Sequence, residues 1–353
     1  MGEGAWGDLV GRSDADPLFM GWDWQWLWWR THKLLFGATL MLVACYAGPR
    51  LVGLAPLFLR RATHRAGIWS TRLELIGSTW RNPRGVFSEY LDIIADREHA
   101  GAVAAVVADR IKADSRWGGL VLSNTPAGGV AAAMVRWHLT SGMFVREVEH
   151  LDAHRATLPG DFSAYVSRLN GSTRRRLWNH RAKLVDPLVV PGEASTIDST
   201  LDLIDRFHGQ RWGGPLFVGE AREFHAALAA ALARRGELRM STLLSGGAPI
   251  AAMYNVRIGG REYNIQSGFD HGATKGISPG YLHFGYCLEA ACGDGIGEFD
   301  FLAGEGRHRQ YKTDFQTTAY PLVTIQVLRA WHLQLLYRAY GAVADWRSGG
   351  ISA

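Results

Sequence analysis

The chain has 353 residues, 47% hydrophobic and 20% charged, which fits two globular domains with sizeable cores and excludes a disordered or fibrous chain. Its formal net charge of +5, from 38 basic against 33 acidic side chains, suits a polyanionic small molecule and is too small an excess to point to DNA. Three cysteines, Cys45, Cys287 and Cys292, lack C-x-x-C spacing; they exclude a disulfide framework and a zinc site, and read as free thiols in a reducing cytoplasm.

Met1–Asp16 has no basic and then apolar signal pattern. The apolar stretch from Leu34 breaks at Gly48-Pro49-Arg50, short of the roughly 20 residues a spanning helix needs, so no transmembrane segment is expected. A Trp-rich helix at about Trp22–Thr31 comes first, its cluster Trp22–Trp29 read as packing inward. A hairpin follows, Leu40–Ala47 and Leu51–Arg60 about Gly48-Pro49-Arg50, then a strand near Leu73–Gly77. A helix at His99–Asp114 carries Ala102, Val103, Val106 and Val107 on one stripe. Strand Leu120–Ser123, helix Val130–Ser141 and strand Phe144–Leu151 complete an N-terminal domain over residues 1–160.

Asp161, a good N-cap, opens a predicted linking helix that runs to Val185 and carries Arg174-Arg175-Arg176, His180, Arg181 and Lys183. These basic residues read as a solvated face or as a contact for an anion. Pro187–Thr196 reads as a loop, so residues 161–196 form a linker. The C-terminal domain, residues 197–353, begins with helices Ile197–Trp212 and Arg222–Arg235. Strands Leu238–Leu244, Ile250–Arg257 and Glu262–Phe269 turn at Gly246-Gly247 and Gly259-Gly260 as an antiparallel meander. Helix Pro279–Cys292, strand Glu298–Leu302 and a further helix close the pattern.

Chemistry concentrates after the meander. Gly268-Phe269-Asp270 ends a strand, and Lys275-Gly276-Ile277-Ser278-Pro279-Gly280-Tyr281 opens a helix with Ser278 as N-cap and Pro279 at its first position. Such a helix start, with a lysine nearby, can hold a pyrophosphate or can simply be a good helix start. Asp300 inside Phe299-Asp300-Phe301-Leu302 is a carboxylate in an apolar strand, costly unless paired or used. Gly276-Ile277-Ser278-Pro279-Gly280 has G-x-S-x-G spacing but reads here as a helix start, and no H-E-x-x-H or P-loop pattern appears, so hydrolase, zinc protease and NTPase readings gain no support.

Taken together, Gly268-Phe269-Asp270, Ser278-Pro279-Gly280, Phe299-Asp300-Phe301-Leu302-x-Gly304-Glu305 and Tyr311-Lys312 resemble the BioF2-like acetyltransferase family. That family includes CelD-type proteins of cellulose biosynthesis, within the GNAT superfamily and near the FemAB transferases. Arg174-Arg175-Arg176, Phe207-His208-x-x-Arg211-Trp212 and Gly247-x-Pro249-Ile250-Ala251 add to the resemblance, which spans nearly the whole chain. It implies an α/β (α+β) fold of two tandem GNAT-like domains, each a mixed, mainly antiparallel sheet flanked by helices, the C-terminal one active.

The resemblance also implies acyl transfer from acetyl-CoA or another acyl-CoA to an amine of a small molecule or envelope saccharide precursor. Gly268, Phe269, Lys275, Gly276, Ser278, Pro279, Gly280 and Tyr281 would hold the donor. Glu305 or Asp300 would act as base, Tyr311 would protonate the departing thiolate, and Lys312 would meet a phosphate or the acceptor's carboxylate. His208, Arg211 and Trp212 would line the acceptor cleft, with no metal involved. The usual R/Q-x-x-G-x-G/A loop is replaced by Lys275-Gly276-Ile277-Ser278-Pro279-Gly280. That departure leaves open an aminoacyl-tRNA donor, as in FemAB proteins, or a non-catalytic scaffold in polysaccharide biosynthesis.

Overall fold

The computed structural model describes residues 2–82, 85–270, 272, 276–304 and 310–349, which fold as two compact units, Met1–Leu151 with Pro321–Ala353, and Asp152–Tyr320. In the first unit, helices α1 (Glu3–Gly11) and α2 (Trp22–His32) precede strands β1 (Thr39–Ala47), β2 (Arg50–Thr63), β3 (Trp69–Leu75) and β4 (Ile94–Ala95). Helix α3 (Ala100–Ala113), strand β5 (Gly119–Pro126) and helix α4 (Val130–His138) follow, and β6 (Phe144–Thr157) leads out of the unit. On α2, Trp24 and Trp28 lie one turn apart, are buried, and donate their indole N–H groups to Ser88 Oγ (2.9 Å) and Val86 O (3.2 Å). Buried indoles need such acceptors. Trp26, on the other face, stays half exposed.

A buried carboxylate fixes the start of α4. Asp92 accepts N–H bonds from Val130 (3.0 Å), Ala131 (2.6 Å) and Ile93 (2.8 Å). Burial nevertheless pushes its pKa up to about 6 against those bonds, from an ordinary 3.8. The folded state therefore holds this proton more tightly than the unfolded chain. Its stabilising contribution is complete below about pH 4 and is lost as pH rises through about 6. Asp92→Asn should flatten that part of the stability profile in denaturant titrations between pH 4 and pH 7; an unchanged slope would contradict the assignment.

The second unit continues from β6 through helices α5 (Phe162–Arg168) and α6 (Gly171–Leu177), strand β7 (Leu188–Pro191) and helices α7 (Ile197–Trp212) and α8 (Glu220–Arg234). Then come β8 (Leu238–Ser245), β9 (Ala248–Ile258), β10 (Arg261–Phe269), helix α9 (Pro279–Gly293) and β11 (Glu298–Asp300). β12 (Thr318–Leu328) leads back to the first unit, where α10 (Trp331–Gly349) lies. The meander β8–β9–β10 turns at Gly246-Gly247 and Gly259-Gly260, and all four glycines have φ between +58° and +78°. Positive φ at both central residues is what a type I′ hairpin demands, which is why glycine pairs stand there.

After the meander, α9 crosses over and β11 joins β10 in parallel, among the described residues through Arg261–Glu298, Glu262–Phe299 and Tyr263–Asp300. The first unit repeats this plan: β3 and β5 pair in parallel from Arg72–Gly119 to Glu74–Val121, with α3 as the crossover. The fold is therefore α/β (α+β), two tandem GNAT-like units built on mixed, mainly antiparallel strands flanked by helices. Each unit has its own apolar core, around Leu54, Leu73, Val107 and Leu120 in the first, and around Tyr165, Phe284, Phe299 and Phe315 in the second.

Two sequence expectations are corrected. Asp161 does cap a helix start, accepting from Ser163 and Ala164 N–H, but Asp161–Val185 is not one helix. It stops at Arg168, restarts at Gly171, and ends in a 3-10 turn, Asn179–Lys183. Asn170 Oδ1 accepts the Thr173 N–H at 2.8 Å, a side-chain bond that competes with a continuous helix. Pro187–Thr196, expected as a loop, contains β7, paired with β8 from Leu188–Leu244 to Pro191–Ser241. Its proline sits at a strand end, where a missing N–H is tolerated. No helix among the described residues is long and apolar enough to cross a membrane.

Candidate functional site

Helix α9 begins at Pro279 with Ser278 in the capping position, as the sequence indicates, but the Ser278 side chain makes no capping bond. Its first turn is shaped by packing. A Cβ on Gly280 would lie 2.9 Å from the Phe269 ring, and one on Gly268 would lie 3.0 Å from Ile204 Cα. The two glycines are thus notches, one receiving Phe269 and the other letting α7 cross β10 closely. Gly276 precedes the helix at φ +74°. Lys275 and Glu305, the expected phosphate lysine and one candidate base, lie outside the described residues.

One turn into α9 the structure assembles a group of side chains that sequence spacing did not reveal. Tyr281 donates its hydroxyl to Asp314 Oδ2 at 2.8 Å, and Arg176 Nη2 donates to the same oxygen at 2.9 Å. The Arg176 guanidinium also lies 4.1 Å over the Tyr281 ring, a cation–π contact that fixes both. Burial and the adjacent Asp314 hold the Tyr281 hydroxyl pKa well above its ordinary range. Tyr311 stands 6.3 Å from Tyr281, ring centre to ring centre. Burial pushes its pKa up to about 12, while the Arg211 charge pulls it down. Tyr311 and Asp314 share the 3-10 helix Gln310–Phe315, whose three-residue turn puts i and i+3 on one side. That spacing is the signal by which Asp314 could have been found.

The other two expected catalytic residues have structural partners. Asp300 is fully buried, with Oδ2 accepting from Arg155 Nε at 3.0 Å and Oδ1 from the Leu302 N–H at 2.8 Å. A carboxylate with both oxygens engaged is a poor base, and this one is paired, which is one of the two states the sequence leaves open for it. Lys312 is also buried, and its Nζ donates to Leu302 O and Ala303 O, each at 2.7 Å. Leu302 itself sits at φ +58°, so the ammonium clamps the strained turn that follows β11. It is neither a surface lysine nor turned to a phosphate. His283, within α9, is completely buried against Ser241 Oγ (2.8 Å), and burial pushes its pKa down to about 3. It stays neutral across the physiological range.

On α7, His208 Nδ1 lies 2.7 Å from Gly214 O, a contact in which only the ring nitrogen can donate. Arg211 is exposed, its guanidinium 4.8 Å over the Trp212 ring and 5.6 Å over Phe269, and Trp212 is exposed too. Arg211 thereby reaches the Phe269–Gly280 contact. Contacts link Trp212, Arg211, Phe269, the first turn of α9 and Asp314 in one series. Of the basic strip, Arg174, Arg175 and Lys183 are exposed, Arg176 is spent on Asp314, and Arg181 pairs with Glu289 at 2.6 Å.

Residues 171–313, less than half of the chain, match the family model described as an acetyltransferase (GNAT) domain. No curated protein matches the sequence. Among solved structures, FemX aligns with a TM-score of 0.66 at 10% identity, covering 95% of this chain and 98% of its own. A conserved protein of unknown function from Bacteroides thetaiotaomicron aligns at 0.57 and 12% identity, over 93% and 97%. The C-terminal domain of an Agrobacterium fabrum protein described as a lysylphosphatidylglycerol synthetase aligns at 0.52 and 10%, over 96% and 95%. At such identities the likeness is one of fold. The second unit therefore contains a GNAT-type transferase domain, on a fold that the whole chain shares with FemX.

Proposed function

We propose that the second unit is an acyl-CoA-dependent N-acyltransferase of the BioF2-like, CelD-type kind, passing an acyl group, acetyl first among candidates, to an amine of a small molecule or envelope saccharide precursor. The observation that carries this is the β10–β11 pair inside the matched domain. It closes for three rungs and then leaves the rest of β10, Asn264–Phe269, without that neighbour, directly before the α9 start. A thioester arm laid along that edge would meet main-chain groups, with its phosphates toward Gly276–Gly280 and the helix N-terminus.

The chemistry needs a neutral amine, a donor for the departing thiolate, and water kept out. The amine nitrogen attacks the thioester carbonyl, the carbon–sulfur bond breaks, and the amine proton passes to a base. With Asp300 engaged, Asp314 is the described carboxylate that takes the base role, and Glu305 remains the other candidate. Tyr311, held protonated by burial, donates a hydrogen bond to the thiolate as charge develops there. Phe284, Phe301 and Phe315 pack behind it as a dry wall.

Calorimetry with acetyl-CoA and free CoA tests the donor. Both should bind, and Gly280→Trp, which drives an indole into Phe269 and the helix start, should abolish binding. Absence of wild-type binding at millimolar ligand would remove the acyl-CoA reading. The aminoacyl-tRNA alternative draws on the replaced phosphate loop and on exposed Arg174, Arg175 and Lys183. It requires tRNA binding that weakens steeply with salt. A CoA-binding protein that releases no thiol with any acceptor amine would instead favour the scaffold.

A further inference from the structure

We propose that the acceptor is an amine bearing a carboxylate or phosphate close to its nitrogen, with Arg211 holding the anion and Asp314 the ammonium. The inference rests on the acyl-transfer reading and names its substrate class. It starts from a reassignment of charge: Lys312, the cation expected to meet a phosphate or the acceptor's acid group, is buried and donates to two carbonyls. Arg211 has no ion pair among the described residues, yet its guanidinium lies 4.8 Å over the Trp212 ring and 5.6 Å over that of Phe269. A planar cation fixed by two rings keeps its N–H edge free for an anion and loses little freedom on binding one.

Asp314 complements it. Its Oδ2 takes the bonds from Tyr281 and Arg176, which lock the carboxylate, and Oδ1 has no partner among the described residues. The two charges belong to one contact series, because Phe269 lies on Gly280 and the next residue, Tyr281, holds Asp314. Tyr311 shares the Asp314 turn and senses the Arg211 charge, so that cation stands at the reacting end. A ligand with opposite charges at the two ends would bridge Arg211 and Asp314 and bring its nitrogen beside Tyr311. Asp314 would first hold the ammonium and then take one of its protons, leaving the neutral nucleophile.

Acceptor binding is read by calorimetry on the full chain without donor, so the result does not depend on whether thioester attack occurs. L-lysine is compared with cadaverine, and glucosamine 6-phosphate with glucosamine. The anionic member of at least one pair should bind about tenfold or more tightly. Arg211→Leu should erase that preference, Arg211→Lys should restore part of it, and Asp314→Asn should weaken both members alike. CoA affinity, measured on each variant, reports that the unit is intact. Equal affinities within both pairs, or a preference that survives Arg211→Leu, would overturn the proposal. So would Arg211→Leu losing CoA affinity with acceptor preference unchanged, which would assign the guanidinium to the donor's phosphates.

Discussion

Asp300→Ala is expected to destabilise the second unit by about 3–5 kcal/mol, seen as a lower denaturant midpoint at unchanged slope. Removing the carboxylate breaks the ion pair with the Arg155 guanidinium, itself largely buried, and takes away the acceptor of the Leu302 N–H. The contact of Arg155 with the Tyr320 ring, 4.0 Å away, recovers only part of this. Asp300→Asn, which keeps an acceptor for Leu302, should cost less. If Asp300→Ala instead left stability within about 1 kcal/mol of the wild type and abolished turnover, Asp300 would return to the list of catalytic groups.

Tyr311→Phe should lower kcat by about 10²–10³, the usual effect of removing one donor aimed at developing charge. The ring packs against Tyr281, Phe284 and Phe315, and phenylalanine preserves those contacts, so stability and CoA affinity should change little. Thiol release under saturating donor checks the first expectation and calorimetry the second. A variant that keeps its turnover but binds CoA poorly would place the hydroxyl in donor recognition. Because burial holds the phenol protonated up to about pH 12, no loss of activity from its ionisation is expected at neutral or mildly alkaline pH.

What could be read from sequence follows the range of the interactions. Hairpins at Gly246-Gly247 and Gly259-Gly260 are local chemistry, as is the Pro279 helix start, and both were legible. The break at Asn170 is equally local, a side-chain oxygen that takes the Thr173 N–H inside a segment whose start at Asp161 reads as that of one helix. Asp300 was visible as an anomaly in an apolar strand, but its partner, Arg155, is 145 residues away in sequence and carries no signal of its own. The same holds for Asp314 and Arg176, separated by 138 residues. Side chains that meet only through the fold look free in a sequence. Lys312 and Asp300 accordingly read as chemical groups in the sequence, while Asp314 carries no such signal on its own.

The three-rung closure of β10 on β11 has a consequence for how such proteins diverge. Peptide groups past Tyr263 are the same whatever residues carry them, so a ligand read there is recognised by strand spacing and not by amino-acid identity. Side chains along that edge are then free to drift as long as the meander, the crossover helix and its glycine notches keep the strands apart. A lineage under that kind of selection retains its architecture after its sequence signal has faded. Likeness to FemX over nearly the full length of both chains, at 10% identity, is a likeness of fold alone.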